Sequence, residues 1–243
     1  MPYHVLNLNE VAEHLHLSPA EVERLVRNQD IPFEKRGKRL VFRKTDVEAW
    51  ASRRILGLKG RRLADYDEKS SQDTEGHLTN GMLMPELVRP EFIAPALPAK
   101  TKASVLREMA ALAAATGRVP NERGLLESLQ ARETLCSTGL PGGLALLHPG
   151  LPDSCLVESP FIVLGRTVQE IPFGAPDGGS TDLFFLLGCP DDRLHLHTLA
   201  RLCLMAQTTS LLTDLRQCVD AQAMCRAILL AEETALTTRA KCR

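Results

Sequence analysis

The chain opens with two short amphipathic stretches. Asn7-Leu8-Asn9-Glu10 reads as an N-cap with a reciprocal Glu, starting a helix through His14. Ser18-Pro19-Ala20-Glu21 is a stronger start: Ser18 caps, Pro19 fits the first helical position, and Glu21 closes the capping box. Val22, Leu25 and Val26 follow as an apolar stripe, with Leu17 in the tight connection before them. Residues 32–35 and 39–43 flank Arg36-Gly37-Lys38, which predicts a hairpin with Gly at its turn. Thr45-Asp46-Val47-Glu48 reads as another capping box, leading a helix through Trp50 and Ile55. From Gly57 to about Gly81 the hydrophobic period disappears, and residues 57–83 are expected to be a flexible linker.

Apolar positions resume near Met84. Val105, Leu106, Met109, Ala110 and Ala113 make a helical stripe that stops at Gly117, and Asn121 caps a further helix reaching Arg132 with Leu125, Leu126 and Leu129 inward. Three apolar runs, 143–147, 161–168 and 183–187, predict strands, with the turn-rich cluster 173–179 between the last two. Residues 194–206 read as an amphipathic helix, and Asp220 caps a last long one carrying Met224, Ile228 and Leu229. Helices, then strands, then helices predict an α/β fold with helices covering a sheet.

Charge is unevenly spread. The net charge is −1, but residues 1–62 carry thirteen Lys/Arg and eight Asp/Glu, so the first part is basic and the remainder acidic. That asymmetry points the N-terminal part at a polyanion. Seven cysteines, an odd number without a C-x-x-C, fit a reducing cytoplasm better than a disulfide framework. The start Met-Pro-Tyr-His-Val has no basic-then-apolar signal pattern, and no apolar run approaches the roughly 20 residues of a membrane span. A cytoplasmic protein without membrane partners is expected.

One stretch suggests chemistry. After Arg132 at a helix end come Ser137-Thr138-Gly139, then Gly142-Gly143 and an apolar run ending on His148. A neutral imidazole is a good phosphoryl acceptor, attacking through one nitrogen while the other is held by a hydrogen bond. The planar guanidinium of Arg132 can hold two phosphoryl oxygens. Ser137 and Thr138 offer hydroxyls, and Gly139, Gly142 and Gly143 allow backbone N–H groups to approach an anion. On the 194–206 helix, His195 shares a face with Leu199 and Leu202, whereas His197 is expected to meet solvent. If that segment were a strand, His195 and His197 would share a face and could bind a metal with His148. The flanking apolar residues favour helix, and no carboxylate or Cys keeps ligand spacing. No metal and no cofactor are expected.

Taken together, Arg132-Glu133, Ser137-Thr138-Gly139, the run Gly143-Leu144-Ala145-Leu146-Leu147-His148, and His195-Leu196-His197-Thr198-Leu199-Ala200-Arg201-Leu202 resemble the IIA domains of the bacterial phosphoenolpyruvate-dependent phosphotransferase system, of the fructose/mannitol and nitrogen-regulatory type. The resemblance implies a small mixed sheet covered by helices over residues 84–243. It implies phosphorylation at His148, with Arg132 against the phosphoryl group, His195 as second histidine, and a histidine phosphocarrier protein as donor. The domain would be a phosphoryl acceptor or carrier at histidine rather than a turnover enzyme. The family pattern has Pro just before the active histidine; here Leu147 stands there and Pro149 follows.

Residues 1–56 resemble the excisionase-type winged helix-turn-helix domains related to MerR regulators, on the match from Leu6 through Val22 and from Arg39 to Trp50. The resemblance implies that the second helix enters the major groove and the hairpin acts as a wing. Arg24 and Arg27 on that helix and Lys35, Arg36, Lys38, Arg39, Arg43 and Lys44 at the hairpin are then the candidates for double-stranded DNA. A DNA-binding regulator, dimeric on paired half-sites and sensing phosphotransferase state through His148, is the expected function. The alternative is a phosphocarrier or protein-interaction module that relays phosphate or binds a kinase or transporter, with the N-terminal domain docking protein.

Overall fold

The computed structural model describes residues 5–37, 39–79, 81–150 and 155–241. At the N-terminal side, β1 (Val5–Leu6), α1 (Leu8–His14), α2 (Pro19–Arg27), β2 (Glu34–Arg36), β3 (Arg39–Arg43) and α3 (Lys44–Leu56) follow in order. Both expected capping boxes form, at Asn7 with Glu10 and at Ser18 with Glu21. The third does not: α3 starts at Lys44, Arg43 occupies its N-cap without a side-chain bond, and Glu48 is buried instead of reaching back. The strands form a small antiparallel sheet in the order β1-β3-β2, with Arg36 opposite Arg39. Gly37 closes that hairpin with φ +63, a left-handed conformation that favours glycine. Val11, Val22, Leu25, Phe42, Val47 and Ile55 pack inside.

Residues 57–83 are not a structureless linker. They hold α4 (Gly60–Asp73) and a short 3-10 turn, after which α5 (Met84–Leu87) begins. The reason lies far away in sequence. Asp67 on α4 is fully buried and accepts from Arg201 Nε at 2.7 Å and from Arg239. The helix has few apolar residues because polar side chains carry its attachment, so no hydrophobic period marks it.

The larger unit contains β4 (Ile93–Leu97), α6 (Lys102–Ala114), α7 (Glu122–Leu135), β5 (Gly139–Leu140), β6 (Leu144–Leu147), β7 (Phe161–Ile171), β8 (Thr181–Gly188), α8 (Asp192–Thr208), α9 (Leu211–Gln217) and α10 (Ala221–Lys241). Its five-stranded sheet runs β4-β7-β8-β6-β5. The β4–β7 and β6–β8 pairs are parallel and the others antiparallel, so the expected mixed α/β sheet is present. Along β8 the side chains alternate. Phe184 and Leu186 join Val105, Met109, Leu125 and Leu129 of α6 and α7, while Leu183, Phe185 and Leu187 join Leu199, Cys203, Met224 and Ile228 of α8 and α10. Every β8 position is buried, as expected for a strand with helices over both faces.

Helix α8 departs from the expected amphipathic form. All its residues from Leu194 to Met205 are buried, because α10 and the sheet cover one side and α3 and α4 cover the other. His197 is therefore not at the solvent. It is fully buried, with Nδ1 at the Thr74 hydroxyl and Nε2 at 3.1 Å from Arg201.

Candidate active site

His148 follows the end of β6, at the same end of the sheet as the start of α8. Its Nδ1 lies 2.8 Å from the Leu146 carbonyl oxygen. A carbonyl only accepts, so Nδ1 carries the proton and Nε2 presents a lone pair. Arg132 Nε donates to that Nε2 at 3.0 Å, so both contacts select one tautomer. Burial, with His195 and Arg132 adding to it, holds the His148 imidazole well below the usual histidine range. A neutral ring with an unprotonated Nε2 is the nucleophilic form, once the Arg132 N–H on that lone pair turns to the incoming phosphoryl oxygens.

Arg132 arrives from the last turn of α7, on the inward face with Leu125 and Leu129. Its Nη1 donates to the Cys136 carbonyl at 2.7 Å, and its Nη2 is buried without a hydrogen-bond partner. An unused donor there is costly and is suited to an anion. His195 comes from the first turn of α8, whose N-cap Asp191 accepts from the Leu194 N–H at 2.9 Å. The His148 and His195 rings are 5.0 Å apart between centroids. Burial pushes His195 down to about 4, with Asp192 opposing and Arg132 reinforcing. The structure thus brings Arg132, His148 and His195 together from three elements.

The hydroxyls and glycines are used otherwise. Ser137 Oγ donates to the Phe173 carbonyl at 2.8 Å, and Thr138 Oγ1 donates to Glu133 at 2.7 Å. Glu133, paired with Lys102 at 2.8 Å, is a structural anchor that sequence reasoning missed. Gly142 and Gly143 do not cradle an anion at His148. They form the β5–β6 turn at the opposite end of β6, where a Cβ on Gly143 would meet Arg216 and Asp182 within 3 Å. The three-histidine metal arrangement is not assembled either, because His197 faces α4 and Arg201. His14, Glu48 and Asp192 bring ligand atoms within 4.8 Å of one another, but Lys44 Nζ already pairs with Asp192 and lies 3.4 Å from Glu48.

The DNA candidates form a second region. Arg24, Arg27, Lys35, Arg36, Arg39 and Arg43 are exposed on α2 and the hairpin. Arg36 and Arg43 both pair with Glu34, at 3.3 and 2.5 Å. Lys38 lies outside the described residues. Lys44 departs from the set: it turns inward to Glu48 and Asp192. Lys44, Glu48 and Ser52, four residues apart, make one polar stripe on α3, and that spacing was the available signal that this face meets something. Ser52 Oγ reaches His195 Nε2 at 3.3 Å, which ties α3 to the histidine pair.

Comparison with known proteins gives the same two parts. The family model described as "Phosphoenolpyruvate-dependent sugar phosphotransferase system, EIIA 2" matches residues 86–230, and a helix-turn-helix domain model matches residues 5–55. A nitrogen regulatory protein of Bradyrhizobium diazoefficiens is 38% identical over 157 residues, covering 63% of this chain and 99% of that protein. The fructose-like EIIA component of Escherichia coli is 33% identical over 87 residues, covering 36% of this chain and 57% of that protein. Among solved structures, the nitrogen regulatory protein IIA-Ntr of Neisseria meningitidis superposes with a TM-score of 0.54 at 26% identity, over 60% of this chain and 99% of that one. The IIA mannitol structure of E. coli, at 18% identity and a TM-score of 0.52 over 58% of this chain and 98% of that one, shares the fold.

Proposed function

We propose, for a chain that belongs to the phosphotransferase EIIA 2 family and carries a helix-turn-helix domain ahead of it, a DNA-binding regulator that reads phosphotransferase state at His148. The observation that carries this reading is the Nε2 lone pair of His148, with Arg132 Nε at 3.0 Å and the His195 ring beside it. The donor is a histidine phosphocarrier protein. In the transfer, the P–N bond to the donor's imidazole breaks as a P–N bond to His148 Nε2 forms. The donor imidazole, protonated on its other nitrogen, leaves neutral. His148 keeps its Nδ1 proton against the Leu146 carbonyl. Such a transfer needs mainly positioning and charge stabilisation, and Arg132 with its unused Nη2 supplies both.

The N-terminal domain binds double-stranded DNA as a homodimer on paired half-sites. Arg24 and Arg27 face the groove, and Lys35, Arg36 and Arg39 neutralise phosphates along the hairpin. Among the described residues no helix is long and apolar enough to cross a membrane, and a cytoplasmic setting fits the phosphocarrier and DNA partners.

Incubation with phosphoenolpyruvate and the general phosphotransferase proteins tests the acceptor. Intact mass gains one acid-labile phosphoryl group, which is absent in His148→Ala; no gain in the wild type or in variants that expose His148 sinks the reading. A salt titration of duplex binding tests the other half. Alanine at Arg36 and Arg39 lowers the salt slope by about 1 for each phosphate no longer neutralised. Salt-independent binding, or none, leaves the domain as a protein-docking module.

A further inference from the structure

The histidine site is closed by the chain's own N-terminal domain. His148, Arg132 and His195 are 2%, 3% and 4% exposed, and Ser52, lying over them from α3, is 4% exposed. A phosphoryl group adds a tetrahedral dianion to Nε2, and a donor protein must bring its own phosphoimidazole to that atom. Neither fits while α3 is seated.

Apolar residues of α3 (Val47, Ala51 and Ile55) share one buried cluster with Leu63 of α4 and Leu194 and Leu199 of α8, and polar contacts set the register of the seat. Lys44 pairs with Asp192, Ser52 meets His195, and Gln207 Nε2 donates to the Leu58 carbonyl at 2.9 Å. Around the rim, Arg193 lies 3.8 Å from Glu13 and His16 lies 3.7 Å from Asp73.

Two features allow α3 to lift without dragging the rest. Helix α4 is held to the larger unit by the buried Asp67–Arg201 pair. Helices α3 and α4 are joined only by Gly57-Leu58-Lys59, and Gly60 has φ +55. An open cleft of about 640 Å³, lined in part by Arg24, Trp50, Arg54, Arg62 and Tyr66, borders α3 and α4 at the surface.

We propose that α3 is the resident occupant of the face that a phosphoryl donor must reach, so that seating of the DNA-binding domain and docking of the phosphocarrier exclude one another. Closure does not hide the DNA candidates: Arg24, Arg27, Lys35, Arg36 and Arg39 stay exposed in the seated arrangement. The seated chain offers its DNA surface and withholds His148; the open chain offers His148. By linkage, whatever favours the open form favours phosphorylation to the same extent. The exclusion of the donor rests on His148 being the acceptor; the closure itself does not.

Diethyl pyrocarbonate, which acylates accessible imidazoles, tests closure in the full chain without any phosphotransferase protein. The exposed His77 serves as internal reference. In the wild type His148 reacts at least about 10-fold more slowly than His77, within the usual range of coupling between conformations. Lys44→Glu and, separately, Ser52→Arg raise the His148 rate about 10-fold and leave His77 unchanged. Adding Asp192→Lys to Lys44→Glu restores slow reaction. The buried Cys189 and Cys203 remain unreactive to a thiol reagent if a variant is folded; should a variant fail this check, the wild-type ratio alone decides. Equal reactivity of His148 and His77 in the wild type, or no acceleration in folded variants, overturns the proposal. The same variants are then given phosphoenolpyruvate and the phosphotransferase proteins. Faster phosphorylation than in the wild type supports the exclusion. An opened His148 that accepts no phosphoryl group leaves closure standing and removes the acceptor reading, so the two failures are distinct.

Discussion

Arg132 gives one N–H to His148 Nε2 and keeps another, on Nη2, buried and unused. Its guanidinium has a donor more than the protein uses, and an anion at Nε2 would take it. Arg132→Met therefore separates function from stability. Phosphorylation should slow by roughly 100-fold or more, the scale for removing one charge-stabilising donor. Thermal unfolding should stay at the wild-type midpoint or rise, because a buried, partly unsatisfied cation is replaced by an apolar chain of similar length. A large fall in the midpoint with phosphorylation retained would make Arg132 a structural residue.

The histidine pair also sets an acid limit. Burial keeps His195 at about 4 and His148 well below its ordinary value, while in the unfolded chain both titrate near 6.5. Below that pH the unfolded chain takes up protons that the folded chain refuses. Stability is therefore lost as pH falls from about 6.5 toward 4. For His195 alone the full loss is roughly 3 kcal/mol. Urea midpoints measured from pH 7.5 to 5 should fall less steeply in His195→Gln than in the wild type; parallel curves would mean that the ring is not buried as neutral imidazole.

The local parts of this arrangement are readable from neighbouring residues. Ser18 with Glu21, and Asn121 and Asp220 as caps, act within a turn. The alternation along β8 is a local period as well. Helix α4 is not readable, because its reason for being folded is Arg201, 134 residues away. His197 departs from expectation for the same cause: a spacing argument gives a residue's face on its helix but not whether a second layer covers that face. The three members of the histidine site come from motif spacing and resemblance. Ser52 and Lys44 reach that region only through the seating of one domain on another, which no local pattern encodes.

The buried cluster around Arg201 gives a sharp stability test. Arg201 pairs with Asp67 at 2.7 Å and with Glu232 at 2.5 Å, and Glu232 also accepts the Leu83 and Met84 N–H groups. All three side chains are fully buried. Removing one charge leaves its partner uncompensated, so Asp67→Asn should cost about 3–5 kcal/mol in urea unfolding. Arg201→Met takes the cation from both Asp67 and Glu232 and should cost at least as much as Asp67→Asn. A cost below about 1 kcal/mol for Asp67→Asn would mean that α4 is not anchored here.

Glu48 responds to pH in the opposite direction from the histidines. It faces Lys44 on its own helix, His14 on α1 and Asp192 on α8, with Arg193 near His14. Burial, then the neighbouring Asp192, pushes its carboxyl up to about 8, while Asp192 is held down. The folded chain thus keeps a proton on Glu48 that the unfolded chain releases near 4.5. Stability from this group is fully present below about 4.5 and is lost as pH rises through 8. Glu48→Gln fixes the protonated form. It should be no less stable than the wild type at pH 5 and more stable at pH 8, with the difference growing steadily between. It should also slow His148 acylation at pH 8, since Glu48 sits beneath the seat of α3. A variant that is less stable than the wild type at pH 8 would show that the ionised carboxylate, held by Lys44, is what the folded chain prefers.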